Sequence, residues 1–165
     1  MASVSPRSEH GTPSDTEACV QLWLAALEAR DGAPAVDGTA ERCLSKFAVP
    51  RVSWRVSRDD DGSILGFGLL AQPGTGGSDG PADAAYLSLL AVDPDTQGRG
   101  LGAQLLADLV ADARAAGYSS AVLHALVGMP ATGLYVSRGW MPLGEPFDHP
   151  LNGRSTQTYV LDPLR

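Results

Sequence analysis

The 165-residue sequence predicts a single α/β domain (α+β mixed) built on a central mixed, mostly antiparallel twisted sheet. Three observations predict it. Residues 51–71 read as a hairpin, "RVSWRVS" and "ILGFGLLA" around the turn "DDDG". Residues 85–127 read as strand, helix and strand, which implies a parallel pair joined by a crossover. Strand-like segments at 139–147 and 156–161 then return the chain to the sheet. The length suits one full-sized core, so the domain spans 1–165, with residues 1–11 expected to be partly flexible.

Each element has its local reason. "TPSD" at 12–15 reads as a helix start, with Thr12 as cap, Pro13 in the first position and Asp15 in the first turn. Val20, Trp23, Leu24 and Leu27 continue at helical spacing, and the helix should end near "RDG" at 30–32. A shorter helix is expected over 38–48, ending before Pro50. "QPGTGGSDGPAD", 72–83, reads as a solvated loop with no helix after it. "AYLSLLAV", 85–92, is a continuous apolar run suited to burial on both faces. The helix over 98–116 carries Leu101, Leu105, Leu106, Leu109, Val110 and Ala113 on one stripe, and Gln104, Asp108 and Asp112 opposite. Gly117 terminates it. A strand over 120–127 and a short helix over 130–138 follow.

Composition excludes several classes. The chain is 44% hydrophobic and 19% charged, which is a globular composition. No apolar run reaches the ~18–20 residues of a membrane span, and the first 15 residues hold no apolar signal segment. A net charge of −7 disfavours nucleic-acid partners, which need a basic footprint. Cys19 and Cys43 have no neighbours at metal-ligand spacing, so no metal site is expected; both read as buried thiols of a reducing cytoplasm.

The segment "VDPDTQGRGLGAQLL", 92–106, carries the chemistry. A strand that feeds a glycine-rich turn and a helix N-terminus makes an anion site, where free N–H groups and the helix dipole face the ligand. "GRGLGA", 98–103, also satisfies the dinucleotide pattern G-x-G-x-x-G/A. That reading needs an acidic residue about 20 positions on, and none stands between Asp112 and Glu145. A phosphate P-loop is excluded because no G-K-[ST] follows.

The same residues carry a resemblance. "VDPDTQGRGLGA" resembles the Q/R-x-x-G-x-G/A signature of the GNAT family of acyl-CoA N-acyltransferases, with Gln97, Gly100 and Gly102 in the signature positions. "PATGLYVSRGW", 130–140, resembles the family's P-A-x-x-L-Y-x-x-x-G-F, with Trp140 in place of Phe. The element order fits the family over nearly the whole chain. The resemblance implies helices on both faces of the sheet and a splayed parallel strand pair, 85–92 and 120–127. It implies acetyl-CoA as co-substrate. Gln97, Gly98, Arg99, Gly100, Leu101 and Gly102 would hold its pyrophosphate, mostly through backbone N–H groups. The backbone of Leu90, Ala91 and Val92 would pair with the pantetheine arm, and Gly128 would border that arm where relatives often carry Asn. The N–H of Leu90 would face the thioester oxygen.

Acyl transfer to an amine requires removal of an amine proton, stabilisation of the thioester oxygen and a donor for the leaving thiolate. The resemblance assigns the donor to Tyr135, whose alternative is packing at a helix–sheet junction. The base is open. The position where many relatives carry Glu or His is Ser88, which with Tyr86 could hold a relaying water. His124 reads better as a satisfied core histidine than as a base. Glu28, Asp31 and Asp37 flank the turn that lines the family's acceptor pocket, and either bind a cation or face solvent. Glu145, Asp148 and His149 lie in a connection that covers the same pocket in relatives.

The expected function is a cytoplasmic N-acetyltransferase acting on a primary amine, small-molecule or peptide, with cationic character. The alternative is an acyl-CoA-binding or sensing module with weak catalysis. The oligomeric state stays open, a homodimer among the options.

Overall fold

The computed structural model describes residues 8–75, 81–150 and 152–164. Seven strands form one sheet: β1 (Ser8–His10), β2 (Arg51–Arg58), β3 (Ile64–Ala71), β4 (Ala85–Val92), β5 (Ala121–Leu126), β6 (Met141–Asp148) and β7 (Ser155–Leu161). Their order is β1-β2-β3-β4-β5-β7-β6. Among the described residues every neighbouring pair is antiparallel except β4 with β5.

Two helices lie on each face. α1 (Thr16–Asp31) and α2 (Thr39–Lys46) close over Trp54, Val56, Phe67, Leu69, Leu89 and Ala91. On the other face, α3 (Leu101–Ala115) and α4 (Ala131–Ser137) pack with Leu70, Leu87, Leu123 and Trp140. α3 sits close because β3 is short of side chains there. A Cβ on Gly68 would fall 2.4 Å from Leu109 Cδ1, and one on Gly66 2.9 Å from Leu105 Cδ1.

β4 departs from the expected strand buried on both faces. Ala85, Leu87, Leu89 and Ala91 are buried, whereas Tyr86, Ser88, Leu90 and Val92 are half-buried. A bulge interrupts the strand midway. Leu69 lies opposite Leu89 and Leu70 opposite Leu87, which leaves Ser88 as the extra residue. Side-chain phase switches across it: Leu87 joins the α3 core, and Leu89 joins the α1–α2 core.

Other expectations are corrected at element ends. The first helix proper begins at Thr16, after a 3-10 turn over Pro13–Asp15; the Asp15 carboxylate accepts the Thr12 N–H at 2.9 Å. Within the start expected to be partly flexible through residue 11, residues 8–10 pair with β2 as β1, and residues 1–7 lie outside the described residues. The 72–83 loop is described except for 76–80. The expected 98–116 helix begins at Leu101, because Gly98 and Gly100 take φ of +90° and +79°. Its polar face is not simply solvated. Asp112 accepts two hydrogen bonds from Arg55, at 2.7 and 2.8 Å, and one from Ser53 at 2.6 Å. Asp108 accepts from Ser8. These acids clasp the β1–β2 side of the sheet.

Candidate active site

The glycine turn is built from its two ends. On the entry side, Asp93 Oδ1 accepts the Asp95 N–H at 2.9 Å, and the Asp93 carbonyl accepts the Thr96 N–H at 2.9 Å. On the exit side, Leu101, the first residue of α3, is buried. Gln97, Gly98, Arg99 and Gly100 between them are exposed. Gly100 caps α3 in a left-handed conformation that other residues adopt only under strain. No side chain caps this helix end, and no acidic residue stands in its first turn. The first N–H groups of α3 are therefore left for an external acceptor, and the dipole makes an anion the suitable one. Apart from their chain neighbours, none of the described residues lies within 4 Å of a Cβ built on Gly98 or Gly100, so a bulky group has room to approach.

Beside this turn the sheet divides. β4 and β5 are in register only at Ala85 with Ala121 and at Tyr86 with Val122. β5 then continues alongside β7 as far as Leu126 opposite Thr156, while β4 continues alongside β3 as far as Val92 opposite Gly66. From Leu87 onward β4 thus has no strand on its β5 side. Leu90, Ala91 and Val92 lie on that stretch, and the half-buried Leu90 side chain packs toward α3.

The residues bordering the divergence have distinct environments. Tyr135, on α4, is 8% exposed and packs against the rings of Trp140 and Tyr159, with centroids 6.1 and 6.5 Å away. Burial pushes its phenol up to about 12. His124, expected as a satisfied core histidine, has a polar partner and is not fully buried. It is half-buried, its Nδ1 lies 2.9 Å from Thr158 Oγ1, and its ring stands 5.6 Å from Tyr86 and 5.7 Å from Phe147. Burial also raises the Tyr86 phenol. Ser88 donates its hydroxyl to the Leu69 carbonyl at 3.3 Å, within the bulge. Gly128, just after β5, has φ +81°, a conformation that glycine and asparagine share most readily.

Residues 19–140 match the model of the acetyltransferase (GNAT) family. The chain belongs to the GNAT acetyltransferase family. Acetyl-CoA is the co-substrate of that family. No curated protein matches the chain in sequence. Solved structures with the same fold include one described as histone acetyltransferase HPA2 and related acetyltransferase from Corynebacterium glutamicum. It is 24% identical, with 98% of each chain covered and a TM-score of 0.73. A putative acetyltransferase from Salmonella typhimurium, solved with its cofactor acetyl-CoA, is 21% identical, covering 96% of this chain and 94% of its own at a TM-score of 0.72. A ribosomal-protein-alanine N-acetyltransferase from Brucella melitensis is 18% identical, covering 94% and 98% at 0.70.

On the α1–α2 side of this GNAT chain the charges differ from expectation. Asp31 is occupied: Arg30 donates to it at 2.8 Å and Arg154 at 3.0 Å, and the Arg30 hydrogen bond leads in holding its carboxyl down to about 2. Glu28 is exposed on α1 with no ion pair among the described residues. Sequence reasoning missed the opposite charge. Lys46, at the end of α2, points its ammonium at the Ser88 carbonyl from 3.5 Å. Arg42, one turn earlier, donates to Thr39 Oγ1 at 2.9 Å. The visible signal was two cations four residues apart on an eight-residue helix, in a chain of net charge −7. Among the described residues no side-chain group could hold a metal ion, and no helix is long and apolar enough to cross a membrane.

Proposed function

We propose that the protein moves the acetyl group of acetyl-CoA directly to a primary amine. The observation that carries this reading is the departure of β4 from β5 after Tyr86, beside the uncapped α3 N-terminus at Gly100. Bound acetyl-CoA supplies an acetyl thioester. Backbone N–H groups over 97–102 hold its pyrophosphate, and exposed Arg99 adds positive charge. The unpaired edge of Leu90, Ala91 and Val92 offers the pantetheine arm the hydrogen bonds that a neighbouring strand would take. Gly128 borders the arm and keeps the left-handed turn without an amide side chain. The Leu90 N–H faces the thioester oxygen and stabilises the charge that grows there.

Tyr135 serves the departing sulfur. A phenol at about 12 stays protonated at any working pH, and a thiol sits near ~8.5. That difference makes the contribution a hydrogen bond that strengthens as charge grows on sulfur, with solvent completing delivery of the proton. His124 takes the amine proton, directly or through one water, from its place across the divergence from Tyr86. Ser88 fixes the bulge that turns this stretch of β4. Covalent transfer through cysteine is disfavoured: burial pushes the thiols of Cys19 and Cys43 up to about 12 and about 11, so neither supplies a thiolate.

Initial rates with both substrates varied test the reading. Intersecting double-reciprocal lines are expected. Parallel lines with an acetylated protein would replace direct transfer by a covalent route. Acetyl-CoA binding with no amine-dependent thiol release would favour the acyl-CoA-binding or sensing module instead.

A further inference from the structure

Two cationic side chains stand four residues apart on α2 of an acidic protein, and one of them reaches the β4 bulge. Lys46 Nζ stands 3.5 Å from the Ser88 carbonyl, two residues from Leu90. Arg42 lies one turn earlier on α2, its guanidinium tethered by Thr39. Neither has a carboxylate within ion-pair distance among the described residues. The connection between β6 and β7 is drawn over the end of α1 by the Arg154–Asp31 ion pair, 3.0 Å long. His149 and Arg154 close that connection, with the His149 N–H donating to the Arg154 carbonyl at 2.8 Å. The His149 imidazole sits below its ordinary value because of burial and then the charges of Lys46 and Arg42. Burial, with Arg42 adding to it, also holds the Lys46 ammonium below the usual lysine range. Like charges four residues apart, one of them desolvated, cost stability, and no carboxylate among the described residues pairs with them.

We infer that the acceptor is a small amine whose far end carries an anion, a carboxylate or a phosphate-like group, held by Arg42 and Lys46. This rests on the acetyl-transfer reading and departs from the cationic acceptor expected from the net charge of −7 and the acids at 28–37, one of which, Asp31, is already paired with two arginines. The amine then points from α2 toward the β4 edge, and the anion stays on the α2 side.

The test uses thiol release with short ω-amino acids and aminoalkyl phosphates, each beside a neutral counterpart of the same length. The wild-type protein should prefer the anionic member by roughly 10- to 100-fold in kcat/KM, the range of one charge-assisted hydrogen bond. Arg42→Gln and Lys46→Gln should each pull that ratio toward one, whereas Arg42→Lys and Lys46→Arg should retain most of it. Preference for the neutral member, or equal proportional losses on both members, would overturn the inference. A second readout is independent of turnover. With CoA saturating, so that the glycine turn is filled, succinate should raise the melting temperature of the wild-type protein and not that of the Arg42→Gln/Lys46→Gln double variant. If no amine is acetylated, the transfer reading fails while this shift still decides the anion site; absence of the shift in the wild type would overturn it.

Discussion

Tyr135 is the residue at which packing and the proposed chemistry meet, and one substitution separates them. Tyr135→Phe keeps the ring among Trp140 and Tyr159 and removes only the hydroxyl. A general acid or its hydrogen-bonded equivalent contributes ~10²–10⁴-fold in rate. The low end is expected here, because the thiolate is a tolerable leaving group. The loss should fall on kcat and leave acetyl-CoA affinity unchanged in calorimetry. Because burial pushes the phenol up to about 12, the ratio of wild-type to variant kcat should stay constant from neutral pH to the ordinary tyrosine value of ~10. A ratio that collapses near ~10 would mean an ordinary, solvated phenol. The Tyr135 position was legible in the sequence through the "PATGLYVSRGW" match. Lys46 and Arg42 were not, because their meaning depends on which face of α2 turns to β4, and α2 spans only eight residues.

At the scale of elements, the glycine turn and the head of α3 make a unit whose two glycines behave differently. Gly102 lies inside the helix, and a Cβ there would touch Leu134 Cδ2 and Val92 Cγ2 at an ordinary 3.6 Å. Gly102→Ala should therefore fold normally and gain up to ~1 kcal/mol from helix propensity, while weakening CoA binding by standing where the pyrophosphate approaches. Gly100→Ala, at φ +79°, should instead lose roughly 1–2 kcal/mol through backbone strain. Thermal melts beside CoA titrations check both. Unaltered CoA affinity in Gly102→Ala would place the pyrophosphate elsewhere. Most element types were legible from periodicity and turn residues. The start of α3 was not, since only the left-handed angles of Gly98 and Gly100 show that the turn runs on to Leu101. The bulge at Ser88 was also hidden: in "AYLSLLAV" every residue but one is apolar or aromatic, so no alternation marks the switch of face.

Across the whole molecule, α3 is held to the sheet by more than its apolar stripe. The Arg55–Asp112 pair is partly buried, and the Arg55 hydrogen bonds chiefly hold the Asp112 carboxyl below its ordinary value. Asp112→Asn should cost about 1–2 kcal/mol at neutral pH, discounted for partial exposure, and lower the melting temperature by about 2–4 °C per kcal/mol. A carboxyl whose folded value lies below its unfolded ~3.9 contributes fully above that pH and loses the contribution as pH falls through the folded value. The melting difference between wild type and Asp112→Asn should thus be full at neutral pH and fade in acid below ~4. A difference that persists undiminished at pH ~2 would show that the contact acts by packing instead. The sequence pattern anticipated the sheet, its parallel pair and the glycine turn ahead of α3, because these depend on local spacing. It did not reveal the clasp of Asp112 on β2 or the cations facing β4, because both join residues far apart in the chain.

The most direct measurement of the central claim is the stoichiometry of amine-dependent thiol release, followed with acetyl-CoA across a panel of amines while the acetylated product is quantified by mass spectrometry. Free CoA and acetylated amine should appear in equal amounts, at rates that depend on the amine and fall in Gly102→Ala. Acetyl-CoA that binds at the glycine turn yet releases no thiol in response to any amine would contradict that claim.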